Sequence, residues 1–217
     1  MGSVDRSRIA AMREVLATTG WVDRTARFGR SLRRAGHRPG GLLIVGTPAE
    51  EPWHLTAHLD EEARWSGISE LAPTLVRWHP PPGAPAHLGV SLDRLEQAGR
   101  GETVFVVAPD AAPAELLERV SDAKHDGATV LALDAGDEEL TGLAHEALTV
   151  HDELDRSPGG LVIPSAPGEL LPVISFDLVS HLVSAAAGDP DPQPQRGPRH
   201  RLARMLDLLS GQPPDRG

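Results

Sequence analysis

Residues 103–134, TVFVVAPDAAPAELLERVSDAKHDGATVLALD, combine two apolar runs with a helical pattern between them. The unbroken apolar run at 103–108 predicts a buried strand, and the run at 128–133 predicts a second one. The segment 113–126 has the apolar spacing of an amphipathic helix. Two buried strands joined by a helix are typical of parallel neighbours in a sheet that is covered on both faces.

The same alternation continues on both sides of this unit. The predicted elements before it are helices at 5–19 and 22–35, a strand at 42–46, a helix at 52–65, a strand at 74–78 and a helix at 91–98. Those after it are a helix at 137–145, a strand at 147–150 and a long helix at 169–186. We predict a three-layer α/β sandwich with a central parallel sheet of about five strands, plus N- and C-terminal helices.

Three regions are predicted along the chain. Residues 1–38 form N-terminal helices that pack on the core, and residues 39–188 form the α/β domain. Residues 189–217 begin with the proline-rich segment GDPDPQPQRGP, which predicts a linker, and end with a helix.

Composition excludes several classes of function. The net charge of −10 argues against nucleic acid as a partner, because a duplex binder needs a basic face. The absence of cysteine excludes disulfides and thiolate metal sites. No apolar run approaches the roughly 20 residues that span a bilayer, and Arg13 and Glu14 interrupt the first apolar stretch. We therefore expect a cytoplasmic protein with no membrane partner.

Several segments, in this order, resemble those of sugar isomerase (SIS) domains, which are α/β modules that bind phosphosugars. They are LLIVGTPAEEPWHLTAHLDEEARWSGI at 42–68, residues 102–134, LAHEALTV at 143–150 and VSHLVSAAAGDPDPQPQRGPRHRLARML at 179–206. The resemblance covers roughly residues 40–202. It implies the fold predicted above, a sugar or sugar-phosphate ligand and a homodimer that pairs through its helices.

The resemblance also implies two ligand loops, and both depart from the family pattern. The first usually reads Gly-x-Gly-x-Ser and the second Ser-Gly-x-Thr, whose hydroxyls and amides surround a phosphate. The residues at these positions that we expect in ligand binding are Gly46, Thr47, Glu50, Asp110, Ala111 and Ala112. Glu50 and Asp110 place carboxylates where a phosphate dianion would lie, although Asp110 can instead cap the following helix.

The resemblance implies two candidate catalytic residues. Isomerisation needs a base, and Glu169 is the candidate, because the Gln-Glu pair of phosphoheptose-type relatives is missing here. His181 lies where relatives often carry a histidine toward a neighbouring subunit's site. A histidine among leucines and valines is also typical of a core or interface position.

His54 and His58 have the four-residue spacing at which a helix can present two zinc ligands. Because no third ligand is evident in the sequence, chance spacing on an exposed helix face is the favoured interpretation. We expect no metal and no cofactor.

Three functions remain open. The leading one is a non-catalytic or regulatory SIS-domain protein that binds a sugar derivative, with an uncharged or amino sugar suiting the acidic loops. The alternatives are an active aldose–ketose isomerase that uses Glu169 and His181, and a dimeric scaffold without a small ligand.

Overall fold

Five parallel strands form the centre of the computed structural model, which describes residues 20–150 and 176–188. They are β1 (Leu42–Gly46), β2 (Pro73–Val76), β3 (Thr103–Ala108), β4 (Thr129–Asp134) and β5 (Glu146–Thr149). The sheet order is β2-β1-β3-β4-β5, and every neighbouring pair is parallel. The predicted α/β fold with a five-stranded parallel sheet is confirmed.

In the part of the chain that the structure describes, five α-helices accompany the strands: α1 (Trp21–Ala35), α2 (Trp53–Ser66), α3 (Ala114–His125), α4 (Glu138–Leu143) and α5 (Phe176–Ala187). Short 3₁₀ helices span Ser69–Leu71, Ala86–Leu88 and Leu92–Gln97. Within the described residues, none of the helices has the length and apolar content that crossing a bilayer requires.

One predicted helix has a different geometry. The segment expected as a helix at 91–98 is a 3₁₀ helix over Leu92–Gln97. Its two buried leucines, Leu92 and Leu95, are three residues apart, a spacing that the three-residue turn of a 3₁₀ helix places on one face. The predicted helix at 5–19, residues 169–175 of the predicted last helix and the region 189–217 lie outside the described residues.

Side chains of the central strands alternate between two apolar cores. Leu42 and Ile44 of β1 join one core, while Leu43 and Val45 join the other. The first core also contains buried residues of α1, α2 and α5, and the second contains those of α3, α4 and the 3₁₀ helix at 92–97. The molecule therefore has three layers, and burial on both sheet faces explains why the strands read as unbroken apolar runs.

Helices α1 and α5 pack closely because a glycine lies at their contact. A Cβ atom built on Gly29 would lie 2.6 Å from Cβ of Ala186 and 2.8 Å from the Ala186 carbonyl carbon. At the end of α5, the Arg33 guanidinium donates to the Ala187 carbonyl at 2.7 and 2.9 Å. This bond satisfies a carbonyl that has no partner within the helix and fixes the two helices relative to each other.

The close approach predicts the effect of one added methyl group. Gly29→Ala should lower the free energy of unfolding by about 1–3 kcal/mol, because the new Cβ meets backbone atoms that cannot rotate away. Gly142→Ala in α4 is the matched control, since a Cβ there meets nothing within 4 Å. It should be neutral or stabilising by up to about 1 kcal/mol. Denaturant unfolding of both variants tests this. Equal free energies of unfolding for the two variants would show that α1 and α5 can move apart without cost.

A buried carboxylate links the amino-terminal end of β3 to two neighbouring segments. Glu102 is 2% exposed, and its carboxylate accepts hydrogen bonds from the guanidinium groups of Arg38 and Arg94. It also accepts the Gly99 amide at 3.2 Å. Burial alone would raise the pKa of Glu102, but these hydrogen bonds outweigh it and the pKa is lowered.

The lowered pKa of Glu102 predicts a pH-dependent contribution to stability. Glu102→Gln should lower the free energy of unfolding by about 1–3 kcal/mol near neutral pH, because the charged hydrogen bonds are weakened. A carboxyl group whose pKa is lower in the folded state stabilises above its unfolded-state pKa, and this contribution is lost as pH falls through the folded value. The difference between wild type and variant should therefore stay constant from about pH 7 to about pH 5, and should shrink toward about pH 3, below the unfolded-state carboxyl pKa of about 4.3. Denaturant unfolding across this range checks it, with the exposed Glu118→Gln as control; a difference that stays constant over the whole range would contradict the explanation.

Candidate functional site

The strand order identifies one edge of the sheet as the place for a ligand. From β1 the chain moves outward to β2 on one side, and β3 then pairs on the other side of β1. The loops that leave the carboxyl ends of β1 and β3 therefore diverge from adjacent strands. Ligands of open α/β sheets bind at such a switch point. The two predicted ligand loops are the ones that flank it.

The loop after β1 makes a tight turn directly at Gly46. A Cβ at this position would lie 2.1 Å from the Glu50 carbonyl oxygen, so only glycine fits without displacing the loop. The Glu50 amide donates to the Thr47 carbonyl at 3.2 Å, and the Trp78 indole donates to the Gly46 carbonyl at 2.9 Å. These bonds hold Thr47 fully buried at the base of the loop, while Glu50 remains exposed.

A hydrogen bond between side chains joins the two loops. The Thr47 hydroxyl donates to Oδ1 of Asp110 over 2.6 Å. Asp110 itself is exposed at the start of the loop after β3. The structure therefore brings together two of the residues predicted to bind a ligand. Because the Thr47 hydroxyl donates to this carboxylate, the first loop's hydroxyl is not free to donate to an anion.

A second carboxylate accepts a hydrogen bond from a backbone amide of the loop after β3. Asp137 accepts the Ala112 amide through Oδ2 at 2.8 Å. Through Oδ1 it accepts the amides of Glu139 and Leu140, both at 3.0 Å, and so caps α4. Ala112 is buried, whereas its predicted partner in ligand binding, Ala111, is exposed. Sequence reasoning missed Asp137, although an aspartate before an acidic helix start is a cap signal.

An aromatic and ionic group borders the first loop. Arg77 donates from Nε to Glu51 at 3.0 Å, and its guanidinium lies 4.5 Å from the ring centroid of Trp53. The Trp53 indole also donates to Glu51 at 2.9 Å. Sequence analysis did not identify this group, because Arg77 follows β2 and meets the loop only once the strands pair. Trp53 remains 41% exposed beside the site.

Three histidines and an aspartate converge where α2 and α5 begin. His54 and His58 project from α2, and Asp177 and His181 project from α5. Nδ1 of His54 lies 3.8 Å from Oδ1 of Asp177, and Nε2 of His181 lies 3.5 Å from Oδ2 of the same carboxylate. The imidazole centroids of His58 and His181 are 4.4 Å apart. We call these four residues the histidine cluster.

The environment of the histidine cluster alters two of its pKa values. A hydrogen bond with His181 lowers the pKa of Asp177, against the opposing effect of burial. Burial lowers the pKa of His58, and the neighbouring His181 lowers it further. Both shifts favour a carboxylate and a neutral imidazole, which are the forms that accept hydrogen bonds or bind cations.

Of the two residues implied in catalysis, the structure describes His181 and not Glu169. Glu169 lies outside the described residues, so its role remains a prediction. His181 lies in α5 with its side chain 13% exposed, and its ring neighbours are His54 and His58 of the same chain. Sequence analysis found no third ligand for the pair on α2. Tertiary packing brings Asp177 and His181 to it from a distant segment.

Comparisons with known proteins show the fold. No family model matches the sequence, and no curated protein does. A Silicibacter pomeroyi structure, provisionally described as a phosphosugar isomerase, has a TM-score of 0.52 at 17% identity, over 95% of this chain and 55% of its own. NanR of Vibrio vulnificus, complexed with ManNAc-6P, has a TM-score of 0.47 at 13% identity, over 95% and 69%. A Salmonella typhimurium structure, provisionally described as a sugar-binding protein, has a TM-score of 0.48 at 12% identity, over 93% and 56%.

The likeness to the first of these structures shows that this chain has an SIS-like fold. At 17% identity it shows the fold alone. This chain spans 55% of the length of that protein, so the site must be interpreted from its own residues.

The two loop carboxylates predict weak anion binding that a double substitution improves. The wild-type protein should not bind millimolar phosphate at the loops, because a carboxylate about 4 Å away repels each phosphate charge by about 1–4 kcal/mol. Glu50→Ser with Asp110→Ser should gain weak binding of phosphate and of sugar phosphates, since the Thr47 hydroxyl is released and two hydroxyls are added. Affinity should stay low because Asp137 still occupies the Ala112 amide.

Calorimetric titration with phosphate and fructose 6-phosphate measures this gain. The matched control is Glu118→Ser with Asp122→Ser, which removes the same two charges from exposed positions on α3. Equal gains in both double variants would attribute the effect to net charge and contradict the role of the loops.

Proposed function

We propose that this SIS-like chain binds an uncharged or amino sugar beyond the carboxyl ends of β1 and β3, without catalysing its isomerisation. The observation that carries the proposal is the 2.6 Å hydrogen bond from Thr47 to Asp110. This bond commits the buried hydroxyl of the first loop to a carboxylate of the chain itself. A ligand at this edge must therefore be one that tolerates or uses negative charge.

The groups that would hold a phosphate are satisfied internally. A phosphate binds through hydroxyl and amide donors that are free to point at it. Here the Thr47 hydroxyl donates to Asp110, and the Ala112 amide donates to Asp137. An incoming phosphate would have to break both bonds and remain beside both carboxylates, and the repulsion alone costs about 1–4 kcal/mol for each pair of charges.

The same carboxylates suit the hydroxyl and ammonium groups of sugars. A carboxylate has about four acceptor positions. Asp110 uses one of them for Thr47, and it is exposed at the edge where the ligand would lie. Sugar hydroxyls can donate to the remaining positions, and the ammonium group of an amino sugar adds a charged hydrogen bond. An amino sugar is therefore the ligand that this edge favours most.

The alternative functions depend on residues away from the loops. An aldose–ketose isomerase would need Glu169 as its base and His181 as its partner. A dimeric scaffold would need exposed apolar helix faces. Phe28 and Leu32 of α1 and Val179 and Val183 of α5 are instead buried in one core of the same chain. The homodimer stays a prediction, and these apolar side chains are not exposed for it because they are buried within one chain.

A thermal-shift series separates the three functions. Ligands that bind only the folded state raise the melting temperature, by the equivalent of about 2.7 kcal/mol at 100 times Kd. Glucosamine should give the largest shift, followed by glucose, while glucosamine 6-phosphate and fructose 6-phosphate should give none. Asp110→Asn should remove most of the preference for glucosamine over glucose, because the attracting charge is gone. Glu118→Gln, which changes an exposed residue of α3, should retain it.

Each other outcome favours a different function. Fructose 6-phosphate binding at micromolar affinity would overturn the proposal and favour the isomerase. No shift with any sugar would favour the scaffold. A shift that Asp110→Asn leaves unchanged would place the sugar away from the loops.

A further inference from the structure

We propose that His54, Asp177 and His181 form a binding site for a divalent transition metal of the Zn²⁺ class, with one coordination position left open. One ligand atom from each of these residues lies within 4.8 Å of the other two. The residues come from two helices that pack against each other, α2 and α5. The site lies just after the loop that follows β1. The proposal does not depend on the identity of any sugar.

The separations between the ligand atoms suit a small tetrahedral ion. Ligands about 2.0–2.1 Å from a tetrahedral metal lie about 3.3–3.4 Å from one another. The carboxylate of Asp177 is 3.5 Å from Nε2 of His181 and 3.8 Å from Nδ1 of His54. The side chains of His54 and Asp177 are 76% and 66% exposed, so small rotations can bring them closer without moving the helices. Metal binding therefore needs only small side-chain adjustments.

The chemistry of the donors selects the class of metal. Two imidazoles and one carboxylate form a nitrogen-rich set that suits zinc and its neighbours, whereas magnesium and calcium prefer oxygen ligands. Zinc sites that act on a ligand use three protein groups and leave a fourth position to water or substrate. Three protein ligands in this cluster match that pattern. His58 is a neighbour of the site, with Nδ1 3.6 Å from Glu61.

Ordinary helix interactions explain only part of the arrangement. Asp177 lies in the first turn of α5, where a carboxylate is favoured, and its pairing with His181 has the usual four-residue spacing. Neither effect requires His54, which belongs to α2 and brings its ring to 5.5 Å from that of His181. A metal ion accounts for the convergence of nitrogen ligands from both helices on one carboxylate.

Metal titration of the full chain, free of any affinity tag and dialysed against a chelator, tests the proposal. Calorimetry with Zn²⁺ should show one ion bound per chain, and Co²⁺ should develop the intense visible bands of tetrahedral coordination. His54→Ala, Asp177→Asn and His181→Asn should each weaken Zn²⁺ binding by at least the roughly 10–100-fold that the loss of supporting groups causes in metal sites. His125→Ala, which removes an exposed helical histidine outside the cluster, should bind as wild type does.

The exposed ligands keep the test decisive. His181 is only 13% exposed and its replacement can affect folding, so its melting temperature without metal is measured alongside. His54→Ala and Asp177→Asn change exposed side chains and leave the core intact. The proposal is overturned if wild type binds no Zn²⁺, if these two variants bind as wild type does, or if His125→Ala weakens binding equally.

Discussion

Coverage of both faces of the parallel sheet is the constraint on which the rest of this structure depends. Parallel strands need helical crossovers, and those helices shield the strands from water on both sides. β1 and β3 satisfy this requirement with fully buried side chains that alternate between two cores. The layer formed by α1, α2 and α5 follows from it, including the close contact at Gly29 and the histidine cluster that α2 and α5 share. The histidine cluster is therefore a consequence of the way in which one sheet face is covered.

Carboxylates of the chain accept hydrogen bonds from the donors that an anion would use at the switch point. Asp110 and Asp137 accept the hydrogen bonds that a bound phosphate would otherwise accept. Asp137 has a second role as the cap of α4, so its negative charge is also tied to the stability of that helix. Both carboxylates therefore disfavour a bound anion at this edge of the sheet.

Sequence patterns predicted the strands and most helices because burial periodicity is a local property. The 3₁₀ geometry of Leu92–Gln97 was missed, since its buried leucines fit either kind of helix over so short a segment. Gly46, Thr47 and Asp110 were predicted as ligand-binding residues from the resemblance of the two loops to those of SIS domains, and the structure joins Thr47 to Asp110. The groups formed by Arg77 with Glu51, and by Asp177 with His54, were not identified. Each of these pairs joins segments that are far apart in sequence, so no local pattern records it.

The sequence by itself determined the fold class, the two loops and their acidic character. These properties depend on runs of apolar residues and on which residue types follow a strand, and both can be read locally. Only the tertiary structure decided which donors the acidic side chains occupy and which helices meet. The order β2-β1-β3-β4-β5 places two loops side by side, and the packing of α5 on α2 places His181 and Asp177 beside His54. Such contacts form only when distant segments pack around a shared core. A hydrogen bond or a metal site requires its atoms to lie within a few ångströms of one another.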